Sequence, residues 1–303
     1  MRKLRFLVSL MTSDNDYQIE QARAAEDTAD ELGVEAQILF AENDAITQST
    51  QILRAIQAQE RDRPDAIIFE PVGATALPQV ARAAVEAGIG WAVLNRDASY
   101  IAEIRPSSKV PVFEVSSDQL AIGRIAGRQC AALLPRGGAV LYIQGPSETT
   151  VAKGRETGLH DALPRNIHVT VLRGQWTEES AERAVRSWLC LSTSRKAIID
   201  LLLSQNDAMA IGARKVFKEL PNEMERDRWL AIPFLGCDGV PRTGQAWVRA
   251  GLLTATIHIP PSSGRALRMM ADALENNKDV PARAFTSASS IPPLDELSPA
   301  KTS

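Results

Sequence analysis

Residues 198–213 read IIDLLLSQNDAMAIGA. An apolar run stops at Gln205, Asn206 and Asp207, then passes into apolar residues at helical spacing: Met209, Ala213, Val216, Phe217 and Leu220. A buried strand ending in three hydrogen-bonding side chains implies that its end faces something polar. The pattern recurs along the chain. AIIFEP (66–71) reaches Glu70, WAVLNRD (91–97) ends on Asn95, Arg96 and Asp97, AVLYIQG (139–145) reaches Gln144, and FLGCDG (234–239) reaches Asp238.

Working outward, short apolar runs alternate with helical patterns. Strands are predicted at 4–10, 35–40, 65–70, 90–95, 138–144, 167–173, 198–205, 231–236 and 254–259. Helices are predicted at 16–33, 45–59, 75–88, 118–134, 150–163, 178–190, 207–219, 241–250 and 263–276. Gly33, Gly88 and Gly251 stand where helix ends favour a left-handed residue. Asp207 and Asp118 stand where helix starts favour a cap. Such alternation gives an α/β fold of parallel sheets with helices on both faces. Gly123 and Gly127, four apart in the 118–134 helix, would let it approach a sheet closely.

The rhythm breaks at 101–119 (IAEIRPSSKVPVFEVSSDQ) and then restarts, which suggests two lobes with a crossover near Ser116–Asp118. Trp91, Trp188 and Trp229 are expected to pack in a strand, a helix and a helix-to-strand connection. The serine- and proline-rich end is expected to hold a final short strand and then a loose tail.

Bulk composition narrows the function. The 303 residues carry 34 basic and 37 acidic side chains, and no basic arm or stripe suggests a nucleic-acid partner. No apolar run approaches the roughly 20 residues that span a bilayer. The basic opening MRKLRFLVSLMTSDND resembles a signal peptide but lacks a small-residue cleavage site, so it reads as the first strand. The chain is then either cytoplasmic or, if a leader has been removed, periplasmic or of the cell envelope. Cys130, Cys190 and Cys237 are odd in number and read as small buried hydrophobes rather than a disulfide framework. His160, His168 and His258 lack metal-ligand spacing, and no H-E-x-x-H occurs. Phosphate-loop, dinucleotide and nucleophile-elbow motifs are missing too, so neither metal nor cofactor is expected.

In open parallel α/β sheets, ligands lie beyond the carboxyl ends of the strands. Glu70, Asn95, Arg96, Asn206 and Asp238 are therefore candidate ligand contacts, since their side chains hydrogen-bond hydroxyl groups. Tyr17 and Trp176 fall in loops at the same edge, one in each proposed lobe. Their flat faces suit the C–H face of a sugar ring. His258, ending TATIH, reaches the same region.

Several segments resemble the type I periplasmic binding proteins, especially the ribose-binding-like sugar receptors, and the ligand domains of lac-repressor-type regulators. LVSLMTSDNDYQIEQ with ADELG resembles the family's first strand and helix, and LNRD its D-R pair. AKGRETGL resembles its arginine-bearing segment. SQNDAMAIGA and LGCDGVP resemble its N-D-x-x-A-x-G and G-x-D-G signatures. The resemblance covers about residues 5–290. It implies two similar lobes, 1–116 plus 260–283 and 117–259 plus 284–292, with a loose tail at 293–303. A three-strand hinge would lie near Ser116–Ser117, His258–Pro260 and Phe285.

By the same resemblance, Asn95 and Arg96 would bind ligand hydroxyls from the first lobe, and Arg155, Asn206 and Asp238 from the second, with Tyr17 and Trp176 stacking. Asn95 departs from the usual aspartate, Glu70 from a smaller polar residue, and Ile259, beside His258, from a glutamine. The implied function is a non-enzymatic receptor for a monosaccharide-like ligand, read by a membrane transporter permease or a sensor protein, without membrane insertion. Two alternatives stand beside it. One is an α/β enzyme using Glu70 or Asp238 on a polar metabolite. The other is a cytosolic ligand-sensing regulator without a DNA-binding head.

Overall fold

The computed structural model of the protein describes residues 2–73, 77–194 and 197–299. The first residues of the helix expected at 75–88 and the last four of the 293–303 tail lie outside that set. Among the described residues are twelve strands: β1 (Arg5–Leu10), β2 (Glu35–Phe40), β3 (Ala66–Phe69), β4 (Gly90–Leu94), β5 (Val112–Ser117), β6 (Gly138–Gln144), β7 (Ile167–Arg173), β8 (Leu201–Ser204), β9 (Phe234–Leu235), β10 (Thr256–His258), β11 (Arg283–Thr286) and β12 (Ser289–Ile291). The helices are α1 (Asp16–Leu32), α2 (Ala45–Gln57), α3 (Pro78–Glu86), α4 (Ile101–Ile104), α5 (Gln119–Leu133), α6 (Thr150–Ala162), α7 (Glu178–Leu189), α8 (Asp207–Lys218), α9 (Glu223–Ala231), α10 (Gly244–Arg249) and α11 (Ser262–Asn276).

The chain divides into two compact units, Met1–Ser117 with Pro260–Thr286 and Asp118–Ile259 with Ser287–Ser303. It passes between them three times. The first unit is a parallel six-stranded sheet in the order β11-β5-β4-β3-β1-β2. Phe6, Val8, Ile68 and Leu94 pack one face against Leu267 and Met270 of α11 and against α1. Leu7, Ile67, Phe69 and Trp91 pack the other face against α2, α3 and α4. Trp91 packs against Phe69 with the rings tilted and 4.7 Å apart, and donates its indole N–H to the Tyr100 hydroxyl at 3.0 Å.

The second unit carries the parallel order β7-β6-β8-β9. Unlike the expected pure parallel layer, it adds an antiparallel pair, β10 with β12. β10 also bridges the chain just after β9, where Asp238 pairs with His258.

Local chemistry sets the element ends. Asn15, Asp44, Asp118, Thr149, Thr177, Asn206 and Asn222 each accept backbone N–H groups at a helix start. Gly33, Gly88 and Gly251 have positive φ at helix ends, as the sequence suggested.

Five readings change. β5 lies inside 101–119, because Glu114 interrupts its apolar run; the carboxylate is buried but paired with Arg283 and accepts the Ala98 N–H at 3.1 Å. Residues 284–286, assigned by sequence to the second lobe, lie in β11 and pair in register with Val115, Ser116 and Ser117 of β5. Trp229 is buried within α9 rather than in a connection, stacked on Phe217 at 4.6 Å. Cys190 is exposed, whereas Cys130 and Cys237 are buried. In the expected loose tail, Leu294–Glu296 forms a 3-10 turn in contact with α5.

Gly123 and Gly127 face α6, not a sheet. A Cβ on Gly123 would lie 2.1 Å from the Arg155 carbonyl oxygen, and one on Gly158 would lie 2.0 Å from that of Leu120. The two helices therefore touch backbone to backbone, which no larger residue permits. Gly158→Ala is expected to cost the second unit about 3 kcal/mol. Gly33→Ala, where a Cβ meets nothing within 4 Å but φ is +68°, should cost about 1 kcal/mol. Urea unfolding of the two variants checks the order; a smaller loss for Gly158→Ala would show that the contact has slack.

Candidate functional site

In the first unit the candidates gather at the carboxyl ends of β3 and β4 and the start of α1. Tyr17 is the second residue of α1, not a loop residue, and is half-buried; Asn15 Oδ1 caps its backbone N–H at 3.0 Å. One residue on, Gln18 donates from Nε2 to Glu70 Oε2 at 2.9 Å. Gln21 reaches the same oxygen at 3.5 Å and Asn95 Nδ2 reaches it at 3.2 Å. Glu70 is only 4% exposed. Burial pushes its carboxyl above the usual range, against the pull of Arg96 and the three amides. Asn95 has φ +52° and accepts from the Ser262 hydroxyl at 3.3 Å. Arg96 is half-buried and donates to the Asn95 carbonyl oxygen at 3.0 Å.

Gln18, Gln21 and Ser262 were not foreseen. A signal existed, because Gln18 and Gln21 fall on the stripe of α1 that Ala22, Ala25 and Ala29 bury. A polar residue on an apolar helix face requires a buried partner.

In the second unit Arg155, Trp176, Asn206 and Asp238 come together. Arg155 projects from α6. Its Nε donates to Gln119 Oε1 at 2.9 Å, Nη1 donates to the Gln205 carbonyl oxygen, and Nη1 lies 3.8 Å from Asp238 Oδ1. The guanidinium carbon sits 5.6 Å from the centroid of the Trp176 ring. That ring lies against Gly145, where a Cβ would come within 2.3 Å of it. Trp176 has φ +64°, and its carbonyl accepts Asn206 Nδ2 at 2.8 Å. Asn206 Oδ1 meanwhile caps α8 through the Met209 N–H. Asn206 is therefore the cap, and Asp207 is not.

Asp207 instead points into the unit. Its Oδ2 accepts the Gly239 N–H at 2.8 Å and its Oδ1 accepts the Thr256 hydroxyl at 2.6 Å. Gly236 and Gly244 make room for it, since a Cβ on either would lie within 2.1 Å of its carboxylate. This clamp holds the turn on which Asp238 stands at φ +105°. Burial first, and then the Asp238 charge, push the Asp207 carboxyl well above the usual range. His258, half-buried, brings Nδ1 within 3.1 Å of the Gly239 carbonyl oxygen.

His160 and His168 are exposed. Among the described residues no group of three or more His, Cys, Asp or Glu could hold a metal ion, and no helix is long and apolar enough to cross a membrane.

A model of the periplasmic binding protein domain matches residues 6–279. The chain is 27% identical over 223 residues to a putative rhizopine-binding protein of Rhizobium meliloti, an alignment covering 72% of this chain and 68% of that one. It is 24% identical over 284 residues to the ribose import binding protein of Salmonella typhimurium, covering 93% and 88%. In fold it is similar to an ABC transporter periplasmic solute binding protein from Actinobacillus succinogenes solved with D-allose. The TM-score is 0.80 and the identity 21%, covering 95% of this chain and 97% of that one. These relatives are binding proteins rather than enzymes. The chain belongs to the periplasmic binding protein family.

Proposed function

We propose that the protein is a solute receptor for a small, uncharged, polyhydroxylated ligand, a monosaccharide or a related polyol, and that it hands this ligand to an ABC-type importer. The observation that carries the reading is the company each arginine keeps. Arg155 stands 3.8 Å from Asp238, and Arg96 stands beside the Glu70–Asn95 pair. Arginine paired with an acid offers directional donors and acceptors without a net charge, which suits hydroxyl groups. The Trp176 face beside Arg155 suits the C–H face of a sugar ring. Relatives named for ribose and xylitol support the same ligand class.

In this reading the carboxyl edge of each unit's sheet carries ligand-binding side chains. Tyr17, Glu70, Asn95 and Arg96 belong to the edge of the first unit; Arg155, Trp176, Asn206, Asp238 and His258 belong to that of the second. Ligand binding then shifts a conformational equilibrium that the importer reads. The working compartment is the cell envelope, as for the periplasmic relatives.

Three measurements test this. A thermal-shift screen over D-ribose, D-allose, xylitol, myo-inositol and L-arabinose should raise Tm for at least one. At a hundredfold excess over Kd the gain is about 2.7 kcal/mol. No shift with any uncharged sugar or polyol would sink the ligand class. By calorimetry, Asp238→Ala or Arg155→Ala should weaken that ligand by the equivalent of about 2–5 kcal/mol, because each removes one member of the Arg155–Asp238 ion pair. Unchanged affinity in Asp238→Ala would remove Asp238 from the site. After overnight incubation with protein, NMR should return the sugar unaltered; any conversion would favour an enzyme.

A further inference from the structure

The hydrogen bonds around Glu70 have their directions fixed, and this has a consequence for the ligand. Gln18 Oε1 accepts the Met11 N–H at 3.0 Å, so its Nε2 must be the atom turned toward Glu70. Gln21 Oε1 accepts the Ser263 N–H at 2.9 Å, so the same holds for its Nε2, which also donates to the Ser262 hydroxyl at 3.0 Å. Ser262, accepting that hydrogen bond, donates its own hydroxyl hydrogen bond to Asn95 Oδ1. Asn95 must then present Nδ2 to Glu70. Rotating the amide by half a turn would set its oxygen against a carboxylate and its nitrogen against a hydroxyl proton. Glu70 Oε2 is thus the common acceptor of the Gln18, Gln21 and Asn95 amides, two of which are also oriented by backbone N–H groups.

Resting on the functional reading above, we infer that Glu70 is a specificity-determining positioning residue. It holds Asn95 with nitrogen inward and oxygen as the acceptor, and it offsets Arg96, so that this edge reads hydroxyl groups and rejects carboxylates and phosphates. Without an offsetting charge, the half-buried Arg96 would favour an anion. Its Oε2 is taken up by the three amides, so its effect passes through Asn95 and Arg96.

The test compares wild type with Glu70→Gln. Gln at 70 retains one oxygen acceptor for Gln18, Gln21 and Asn95, removes the charge and turns the second oxygen into an NH2 donor, so the variant should stay folded, with Tm within a few degrees. The probes are matched neutral and anionic sugars: D-ribose with D-ribose 5-phosphate, and D-glucose with D-glucuronate. By calorimetry, wild type should prefer the neutral member of a pair at least a hundredfold, and Glu70→Gln should narrow that preference at least tenfold. A folded variant with an unchanged ratio overturns the proposal. A second readout needs no ligand. In wild type the Asn95 side-chain amide protons should exchange slowly with solvent in 15N NMR spectra, and in Glu70→Gln they should exchange at least tenfold faster. Equal exchange in both proteins also overturns the proposal. If no neutral sugar binds wild type while the exchange difference appears, the functional reading fails and the orienting role of Glu70 stands.

Discussion

The carboxyl edge of the second unit's sheet depends on one buried carboxylate, that of Asp207. It joins the end of β8 to the turn after β9 and to Thr256 of β10. The two sequence signatures of this unit are therefore one device. In N-D-x-x-A-x-G, Asn206 caps α8 and holds the Trp176 carbonyl, Asp207 clamps the turn, Ala210 fills the core, and Gly212 lets α8 meet the backbone of Glu178. In G-x-D-G, Gly236 makes room for the clamp, Asp238 is what the clamp presents, and Gly239 supplies both the N–H and a positive φ beside His258. Losing the carboxylate would strand the Gly239 N–H and the Thr256 hydroxyl and leave space beside two glycines. Asp238 would then lack the framework that holds its left-handed backbone.

The first unit solves the same problem with a different donor set. Glu70 collects side-chain amides where Asp207 collects one backbone N–H and one hydroxyl. Both carboxyls are driven upward in pKa by burial, so both carry a desolvation cost. Apolar residues would stabilise such positions at least as well. What a carboxylate adds is direction, since every donor around it must point inward and the remaining atoms of the same groups are left in fixed roles.

Periodicity carried most of the architecture, because strands covered on both faces read as unbroken apolar runs and their helices as amphipathic stripes. It failed where a charge sat inside a strand, as at Glu114, whose cross-strand partner Arg283 lies far along the chain. It failed for α9, which buries only Trp229 and so presents no stripe. The strand-end rule singled out Glu70, Asn95, Arg96, Asn206 and Asp238 because those positions differ in kind from the runs before them. It could not say which of two adjacent polar residues caps a helix. Asn206 and Asp207 are equally good caps by composition, and only the glycine-lined space beside β9 and α10 decides between them. Likewise, Gly123 and Gly127 announce a close approach without naming α6 as the partner.

That close approach has a bearing on recognition. Arg155 lies in α6 between Gly154 and Glu156, and its own carbonyl is the atom against which Gly123 packs. The backbone that carries the guanidinium is thus fixed by the tightest helix contact of the unit, and its Nε is fixed again by Gln119 from α5. A long side chain ordinarily loses much rotamer freedom when it binds. Here much of that ordering is already done by folding, and the Trp176 ring and Asp238 carboxylate hold the head of the side chain from two further directions. An arginine so restrained contributes geometry more than charge. In the proposed receptor it would discriminate among hydroxyl arrangements better than a mobile arginine, at the cost of the adaptability that makes mobile arginines general anion binders.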